Sequence, residues 1–136
     1  MLDALGTDAL VHGETGAVLR VSLPWIRSLP LAAVSDIEVE IDGVIAAAPR
    51  VILGDRVASV AELARETGWW FVQDRLPLQL DRRLDEGIHK VRLAFLLAIP
   101  YLQIGPDGPL TLPFLFEREL TVAPARPTAG VARDVA

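Results

Sequence analysis

The sequence contains no cysteine among its 136 residues, and its thirteen Lys and Arg are outnumbered by eighteen Asp and Glu. The absence of cysteine excludes a disulfide framework, a thiolate zinc site and a cysteine nucleophile. A net charge of −5 leaves no basic field for a phosphate backbone, which disfavours a nucleic-acid partner. An acidic globular protein remains, either an enzyme or a subunit.

Long apolar runs are also missing, although 51% of the residues are hydrophobic. The longest run, LAFLLAIPYL at 93–102, has about half of the roughly 20 residues that cross a bilayer, and Pro100 interrupts it. The N-terminal stretch has Asp3 and Asp8 where a signal peptide carries positive charge. We therefore expect one globular domain, located in the cytoplasm.

Apolar residues recur at spacing two in short stretches bounded by Gly, Pro and Asp, which is typical of β-strands. The clearest stretch is IEVEIDG at 37–43, where three β-branched residues alternate with two glutamates and Asp42-Gly43 predicts a tight hairpin turn. The pattern predicts strands at 18–23, 37–41, from 44 onward, and at 50–53, 69–73, 76–80, 88–99 and 114–122.

One stretch favours a helix, SVAELARETG at 59–68, because Ser59 and Glu62 form a capping-box pattern and Gly68 provides a stop. Short strands with one short helix predict an all-β fold, either an antiparallel β-sandwich or a partly closed barrel. We expect the chain to be organised as an N-terminal arm at 1–14, a β-sandwich domain at 15–122, and a flexible tail or docking arm at 123–136.

Two of the predicted strands are apolar on both faces. In GIHKVRLAFLLAIPYL, at 87–102, the polar alternation ends at Leu93, and LPFLF at 112–116 behaves in the same way. A sheet in a two-layer sandwich needs only one apolar face, so these strands need a second cover. Another protein could supply that cover, and so could the chain's own loops and helix; the sequence leaves both possibilities open.

Groups that could perform catalysis are scarce, because the chain has two histidines, one tyrosine and no GxSxG, HExxH, CxxC or phosphate-loop motif. His12 and Glu14 lie in a polar stretch, where a solvated loop is the simpler interpretation than a metal ligand or proton shuttle. His89 is interpreted as a structural residue bonded to a neighbouring strand. We predict no catalytic, cofactor-binding or metal-ligating residue in this chain.

The aromatic and arginine residues are more informative. PWIRSLPL at 24–31 holds Trp25 and Arg27 between two prolines, Trp69-Trp70 sends one indole to each face of a strand, and Tyr101 follows the doubly apolar stretch. Trp, Tyr and Arg are the residue types enriched at the centres of protein interfaces. Each of these side chains could instead fill the core of the monomer, and residue type alone does not decide between the two.

The order of these segments resembles that of a known family. The phrases PWIRSLPL, IEVEIDG, ELARETG with WWFVQDRLPL, EGIHKVRLAFLLAIPYL and LFERELTV follow one another as in the small (β) subunit of bacterial C-glycoside deglycosidases. The resemblance covers about residues 15–122, and its most specific parts are PW-x-RSLP and the Asp-Gly hairpin. None of these phrases is diagnostic of catalysis.

The resemblance implies a division of labour between two subunits. Members of the family pair with a larger α subunit, similar to a sugar-isomerase-type (β/α)8 barrel, that carries the acid–base residues and a divalent metal, commonly Mn²⁺. Together they cleave the carbon–carbon bond between a 3-oxo-glucosyl group and an aromatic aglycone such as a flavonoid, by metal-assisted proton abstraction and elimination. The small subunit would complete the mouth of the active site and hold the assembly together.

The resemblance also implies where this chain meets its partner. Trp25 and Arg27, in the matched PW-x-RSLP segment, would contact the large subunit or line the active-site mouth, and Tyr101 is a further candidate. The alternative hypothesis is a free-standing carbohydrate-binding β-sandwich module that stacks sugars on exposed tryptophans. A self-contained small enzyme is the least favoured hypothesis, because it needs histidines and carboxylates converging in one pocket.

Overall fold

A computed structural model describes residues 3–13, 16–103 and 109–122. Within these ranges the chain forms strands that we number in order: β1 (Leu10–His12), β2 (Ala17–Ser22), β3 (Leu29–Pro30), β4 (Val34–Ile41), β5 (Val44–Ile45), β6 (Arg50–Leu53), β7 (Arg56–Ser59), β8 (Trp69–Trp70), β9 (Arg75–Gln79), β10 (Gly87–Gln103) and β11 (Pro109–Val122). Two 3₁₀ helices, Leu31–Ala33 and Ala61–Arg65, lie between them. None of the helices in the described ranges is long and apolar enough to cross a membrane.

The strands assemble into two principal antiparallel sheets. One has the order β1-β2-β9-β6-β7, the other has the order β11-β10-β4-β5, and β3 and β8 form a small third sheet. Leucine, valine and isoleucine side chains from both principal sheets join in one buried core, as in a sandwich, and the sheets do not close into a barrel. The all-β antiparallel fold predicted from the sequence is confirmed.

The hairpin predicted from IEVEIDG forms between β4 and β5. Its three β-branched residues are buried and its two glutamates lie on the opposite face. Asp42 and Gly43 have φ angles of 51° and 82°, as the central positions of a type I′ turn require. Strand β4 begins at Val34, three residues earlier than predicted. The register with β10 shifts at Asp36 (φ 53°), and the pairing then continues through Ser35 to Val34.

The helix predicted at 59–68 is present as a short 3₁₀ turn, and its capping box is formed. The Glu62 N–H donates to Ser59 Oγ at 3.2 Å, and the Ser59 N–H donates to Glu62 Oε1 at 3.0 Å. The helix ends at Arg65, earlier than predicted, because Glu66 has extended backbone angles and its carboxylate is held by Arg56 at 2.7 Å.

The two neighbouring tryptophans of β8 face opposite sides, as predicted. Trp70 is fully buried against Phe95, with ring centroids 6.5 Å apart, whereas Trp69 is 50% exposed. The strand predicted at 69–73 stops after Trp70, since the Trp70 indole N–H donates to the Asp74 carbonyl at 3.0 Å and the Asp74 N–H donates to the Phe71 carbonyl at 2.9 Å. Residues 71–74 therefore form a turn.

The described part of the N-terminal segment packs onto both principal sheets. Strand β1 pairs with β2, and Leu5 is fully buried. The Arg118 guanidinium of β11 donates to the Leu5 carbonyl at 2.7 Å and to the Asp3 carboxylate at 3.0 Å. This arginine therefore ties the segment to the edge of the four-stranded sheet. The tail predicted at 123–136 lies outside the described residues.

A second arginine holds the same N-terminal segment from the five-stranded sheet. Arg75, which is 9% exposed, forms an ion pair with Asp8 at 2.7 Å. Burial raises the pKa of the Asp8 carboxyl, but the hydrogen bond and positive charge of Arg75 outweigh that effect and leave this pKa below its ordinary value. Nothing in the sequence pattern indicated this pair, because its members are 67 positions apart.

Candidate functional site

The three residues proposed from the sequence as a contact site lie together at one corner of the sandwich. The Trp25 indole N–H donates a hydrogen bond to the Tyr101 hydroxyl. The Arg27 guanidinium carbon lies 5.4 Å from the centroid of the Tyr101 ring, a cation–π distance. We call these three residues the Trp25–Tyr101 cluster. It joins the segment after β2 to the end of β10, 76 positions further along the chain.

The local backbone structure leaves Arg27 exposed and Trp25 only partly buried. Between β2 and β3 the chain bends at residues 25–27 instead of forming regular structure, so the side chains are not committed to a sheet face. Ser28 fixes the segment, because its hydroxyl accepts a hydrogen bond from the Val72 N–H at 2.9 Å. The adjacent pairing of Leu29 with Trp70 anchors it to the core.

Exposed apolar side chains lie beside this cluster. They are sequence neighbours of its members or belong to the 69–72 segment, which is hydrogen-bonded to Ser28 and paired with Leu29 and Pro30. They lie on the segment after β2, on β8 and the turn after it, and at the end of β10. Each is between 40% and 74% exposed, and they are Ile26, Trp69, Phe71, Val72 and Leu102. Together with the cluster they form what we call the aromatic surface. Exposed apolar side chains that cluster together often mark an interaction site, whereas single ones are normal on a soluble protein. Phe71 and Val72 are not predicted by the sequence as part of this surface, because the WWFVQ stretch has the composition of a continuous strand.

The doubly apolar strand β10 is buried on one face and partly open on the other. Leu93 and Leu97 are fully buried in the core. On the opposite face Leu96 is half-buried, and Leu115 of strand β11, which lies opposite Ala94, is 52% exposed. The described residues therefore give this outer face no complete cover, although its alanines reduce the apolar area that is left in contact with water.

A shallow charged groove runs along the other end of this outer face. Its volume is about 620 Å³, and its lining includes Glu40, Lys90, Arg92 and Glu117. Arg92 lies 3.5 Å from both Glu40 and Glu117. The charges largely compensate one another in an exposed setting, which is typical of a solvated sheet face.

His89 is a structural residue, as interpreted from the sequence. Its Nδ1 lies 2.6 Å from the Asp42 carboxylate and its Nε2 lies 2.7 Å from the Asp85 carbonyl, so both ring nitrogens face acceptors. The other oxygen of Asp42 accepts from the Lys90 N–H at 2.8 Å. The hydrogen bonds that His89 donates to the Asp42 carboxylate and to the Asp85 carbonyl raise the pKa of His89 above its ordinary value, and the first of them lowers the pKa of Asp42.

These shifts predict how the His89–Asp42 pair contributes to stability. Protonated His89 stabilises the fold fully below its unfolded pKa of about 6.5, and the contribution disappears as the pH rises through its higher folded pKa. Ionised Asp42 contributes above about pH 4, and this contribution is lost as the pH falls through its lower folded pKa. The free energies of unfolding of the wild type and of His89→Gln, measured in urea, should therefore differ most at about pH 5.5.

At about pH 9 the free energies of unfolding of the two proteins should differ less. Asp42→Asn in combination with His89→Gln is the matched control, because neither member of the pair can then titrate. A difference between wild type and His89→Gln that stays constant across this pH range would contradict the assignment of the protonated form.

The described residues do not assemble a metal site. No group of three or more His, Cys, Asp or Glu side chains that could hold a metal ion occurs within the ranges 3–13, 16–103 and 109–122. His12 is half-buried in β1, opposite Ala17, and its sequence neighbour Glu14 lies outside those ranges. The residues present here therefore do not fit a divalent metal.

Fold and site together define a class of protein. It is an antiparallel β-sandwich whose described residues carry an exposed aromatic surface and hold together no metal-ligand group. An exposed aromatic surface of this kind is typical of a site at which a protein contacts another molecule.

Comparison with known proteins identifies the family. No protein-family model matches the chain. The 3'-dehydrocarminate deglycosidase beta subunit of Microbacterium sp. is 36% identical over 102 residues, which cover 72% of this chain and 77% of that protein. The C-glycoside deglycosidase beta subunit of Arthrobacter globiformis is 36% identical over 108 residues, which cover 74% and 80% respectively. The chain belongs to the family of C-glycoside deglycosidase beta subunits, and the resemblance found in the order of its segments is confirmed.

Proposed function

We propose that this chain is the small subunit of a hetero-oligomeric C-glycoside deglycosidase, with a larger (β/α)8-barrel α subunit as its partner. The complex cleaves the carbon–carbon bond between a 3-oxo-glucosyl group and an aromatic, flavonoid-type aglycone, and works in the cytoplasm as a lyase. The α subunit supplies the acid–base residues and the divalent metal, Mn²⁺ in this proposal. This chain has an accessory role: it covers the active-site mouth and contributes no catalytic group.

The aromatic surface is the observation that carries this proposal. It exposes Trp69, Phe71 and Tyr101 together, each 46% to 50% exposed. Burying a large apolar side chain gains about 1.5–3 kcal/mol, so a partner that covers several of them has a strong driving force for assembly. Stable interfaces concentrate their binding energy in Trp, Tyr and Arg near the centre, the composition of the Trp25–Tyr101 cluster.

The substrate is proposed only as a class. The name of one relative specifies 3'-dehydrocarminate and that of the other specifies a C-glycoside. The 3'-dehydro prefix of the first name and the carbon-linked sugar of the second together support a 3-oxo-C-glycoside as the substrate class for the complex that contains this chain.

Reconstitution tests the proposal. The chain, the α subunit encoded in the same genome and an equimolar mixture would each be incubated with a 3-oxo-C-glucoside, and release of the aglycone would be followed by chromatography. We expect turnover by the mixture and none by this chain alone, because its described residues bring no metal-ligand group together. Turnover by the lone chain, or a lone α subunit as active as the mixture, would refute the accessory role.

The alternative of a carbohydrate-binding module is supported by one observation, the half-exposed ring of Trp69. Sugars stack on such rings in binding modules. Isothermal titration of the lone chain with glucose and short glucans distinguishes the two functions. The module is favoured if the chain binds sugar saturably, if Trp69→Ala abolishes that binding, and if the chain does not bind the α subunit.

A further inference from the structure

We propose that Arg27 receives a carboxylate of the α subunit at the centre of the aromatic surface. This inference rests on the proposed function and deepens it by naming the chemical group with which the partner meets this chain. The Trp25–Tyr101 cluster leaves part of its hydrogen-bonding capacity unused.

The cluster offers hydrogen-bond donors and few acceptors. The Trp25 indole N–H is already used by the Tyr101 hydroxyl, which keeps its own proton for donation. Arg27 lies over the Tyr101 ring and forms no ion pair with a carboxylate in the described part of the chain. A guanidinium carries five N–H donors and no acceptor, so the group that complements this cluster is an anion with acceptor oxygens.

The geometry also favours a planar, forked acceptor. The Tyr101 ring orients the guanidinium, and the Trp25 indole in turn fixes the Tyr101 hydroxyl. A guanidinium held in one plane is suited to bidentate hydrogen bonding with a carboxylate, which adds orientation as well as affinity. Because the contacts with Tyr101 restrict the conformations of Trp25 and Arg27, less conformational freedom is lost when the partner docks.

The apolar surroundings explain why the anion belongs to a protein. Ile26 and Phe71 lie on different segments of the aromatic surface and are 74% and 47% exposed. A bound partner that covers them removes water from Arg27 as well, and a desolvated charge without an acceptor is costly. One aromatic ring or one sugar is too small to cover three chain segments, whereas a subunit surface with an Asp or Glu among apolar residues can do so.

The sequence offers an unusually clean way to test this contact. Lys90 is the only lysine, and it lies in the charged groove away from the Trp25–Tyr101 cluster. In a Lys90→Arg background, Arg27→Lys introduces a single side-chain amine at the proposed contact. The variant would be assembled with the α subunit and treated with a carbodiimide, which joins an amine to a carboxylate only when the two are in contact.

We expect an amide cross-link between position 27 and an Asp or Glu of the α subunit, located by tandem mass spectrometry. Arg83→Lys in the same background is the matched control. Arg83 is an exposed arginine that precedes the first residue of β10, whereas Tyr101 lies near the last residue of that strand. It should give no cross-link to the α subunit. In parallel, Arg27→Gln should raise the dissociation constant of the complex about 30-fold or more, since it leaves the partner's carboxylate without its cation.

The outcomes separate this inference from the proposed function. If the wild-type subunits do not form an active complex, the proposed function fails and the inference fails with it. If the complex forms but position 27 gives no cross-link and Arg27→Gln binds as the wild type does, only the inference is overturned. If Arg27→Gln leaves assembly unchanged and raises KM, the anion belongs to the aglycone, and the protein carboxylate is again refuted.

Discussion

Replacing Tyr101 with alanine should lower the affinity of this chain for the α subunit about 100-fold, equivalent to about 3 kcal/mol. The ring supports the Arg27 guanidinium at 5.4 Å, and its hydroxyl holds the Trp25 indole. Alanine removes both supports together, so two further side chains lose their orientation. Titration calorimetry of the chain into the α subunit measures the effect directly.

Two control variants show whether the loss comes from the cluster. Tyr101→Phe keeps the ring beneath Arg27 and removes only the hydroxyl, so it should cost about 1 kcal/mol of binding free energy. Leu115→Ala removes an apolar side chain that is 52% exposed on the outer face of the four-stranded sheet, and it should leave the affinity unchanged. Wild-type affinity in Tyr101→Ala, or a large loss in Leu115→Ala, would move the interface away from the aromatic surface.

Substitutions of the two neighbouring tryptophans should have different effects, one on the stability of the fold and the other on binding to the α subunit. Trp70 is fully buried against Phe95, so Trp70→Ala should lower the free energy of unfolding by about 3–5 kcal/mol, a large part of the total for a small domain. Trp69 is half-exposed, so Trp69→Ala should change stability by less than about 1 kcal/mol and should weaken binding to the α subunit. Urea unfolding and calorimetry supply the two quantities.

If Trp70→Ala does not fold, Trp70→Phe serves in its place, since it keeps an aromatic ring in the core and loses the hydrogen bond to the Asp74 carbonyl. The interpretation would be wrong if the exposed tryptophan governed stability, or if Trp69→Ala bound the α subunit as tightly as the wild type.

Local patterns in the sequence predicted most of the strands. The alternation in IEVEIDG places the apolar residues on one face and the glutamates on the other, and Asp42-Gly43 is one of the few pairs that suit the positive φ angles of the turn that follows. These features depend on neighbours within a few positions. Strand β1 was not predicted, because it is three residues long and depends on pairing with β2 and on the arginines that hold the N-terminal segment.

The candidate site was only partly predictable for the same reason. Residue type singled out Trp25, Arg27 and Tyr101, but their contact depends on how the segment after β2 packs against the end of β10. Phe71 and Val72 follow the tryptophans in a strand-like stretch. They become exposed because two hydrogen bonds hold the backbone in a turn, one from the Trp70 indole to the Asp74 carbonyl and one from the Val72 N–H to the Ser28 hydroxyl. Neither hydrogen bond can be predicted from a sequence pattern.

Hydroxyl-radical footprinting of the lone chain and of the assembled complex tests the central claim most directly, because aromatic side chains report their own exposure. We expect Trp69, Phe71 and Tyr101 to react in the lone chain and to be protected in the complex. Trp70 is the internal reference, since it is buried in the lone chain and should react little in either state. Unchanged labelling of the aromatic surface, with protection at Leu115 on the outer sheet face instead, would contradict the account.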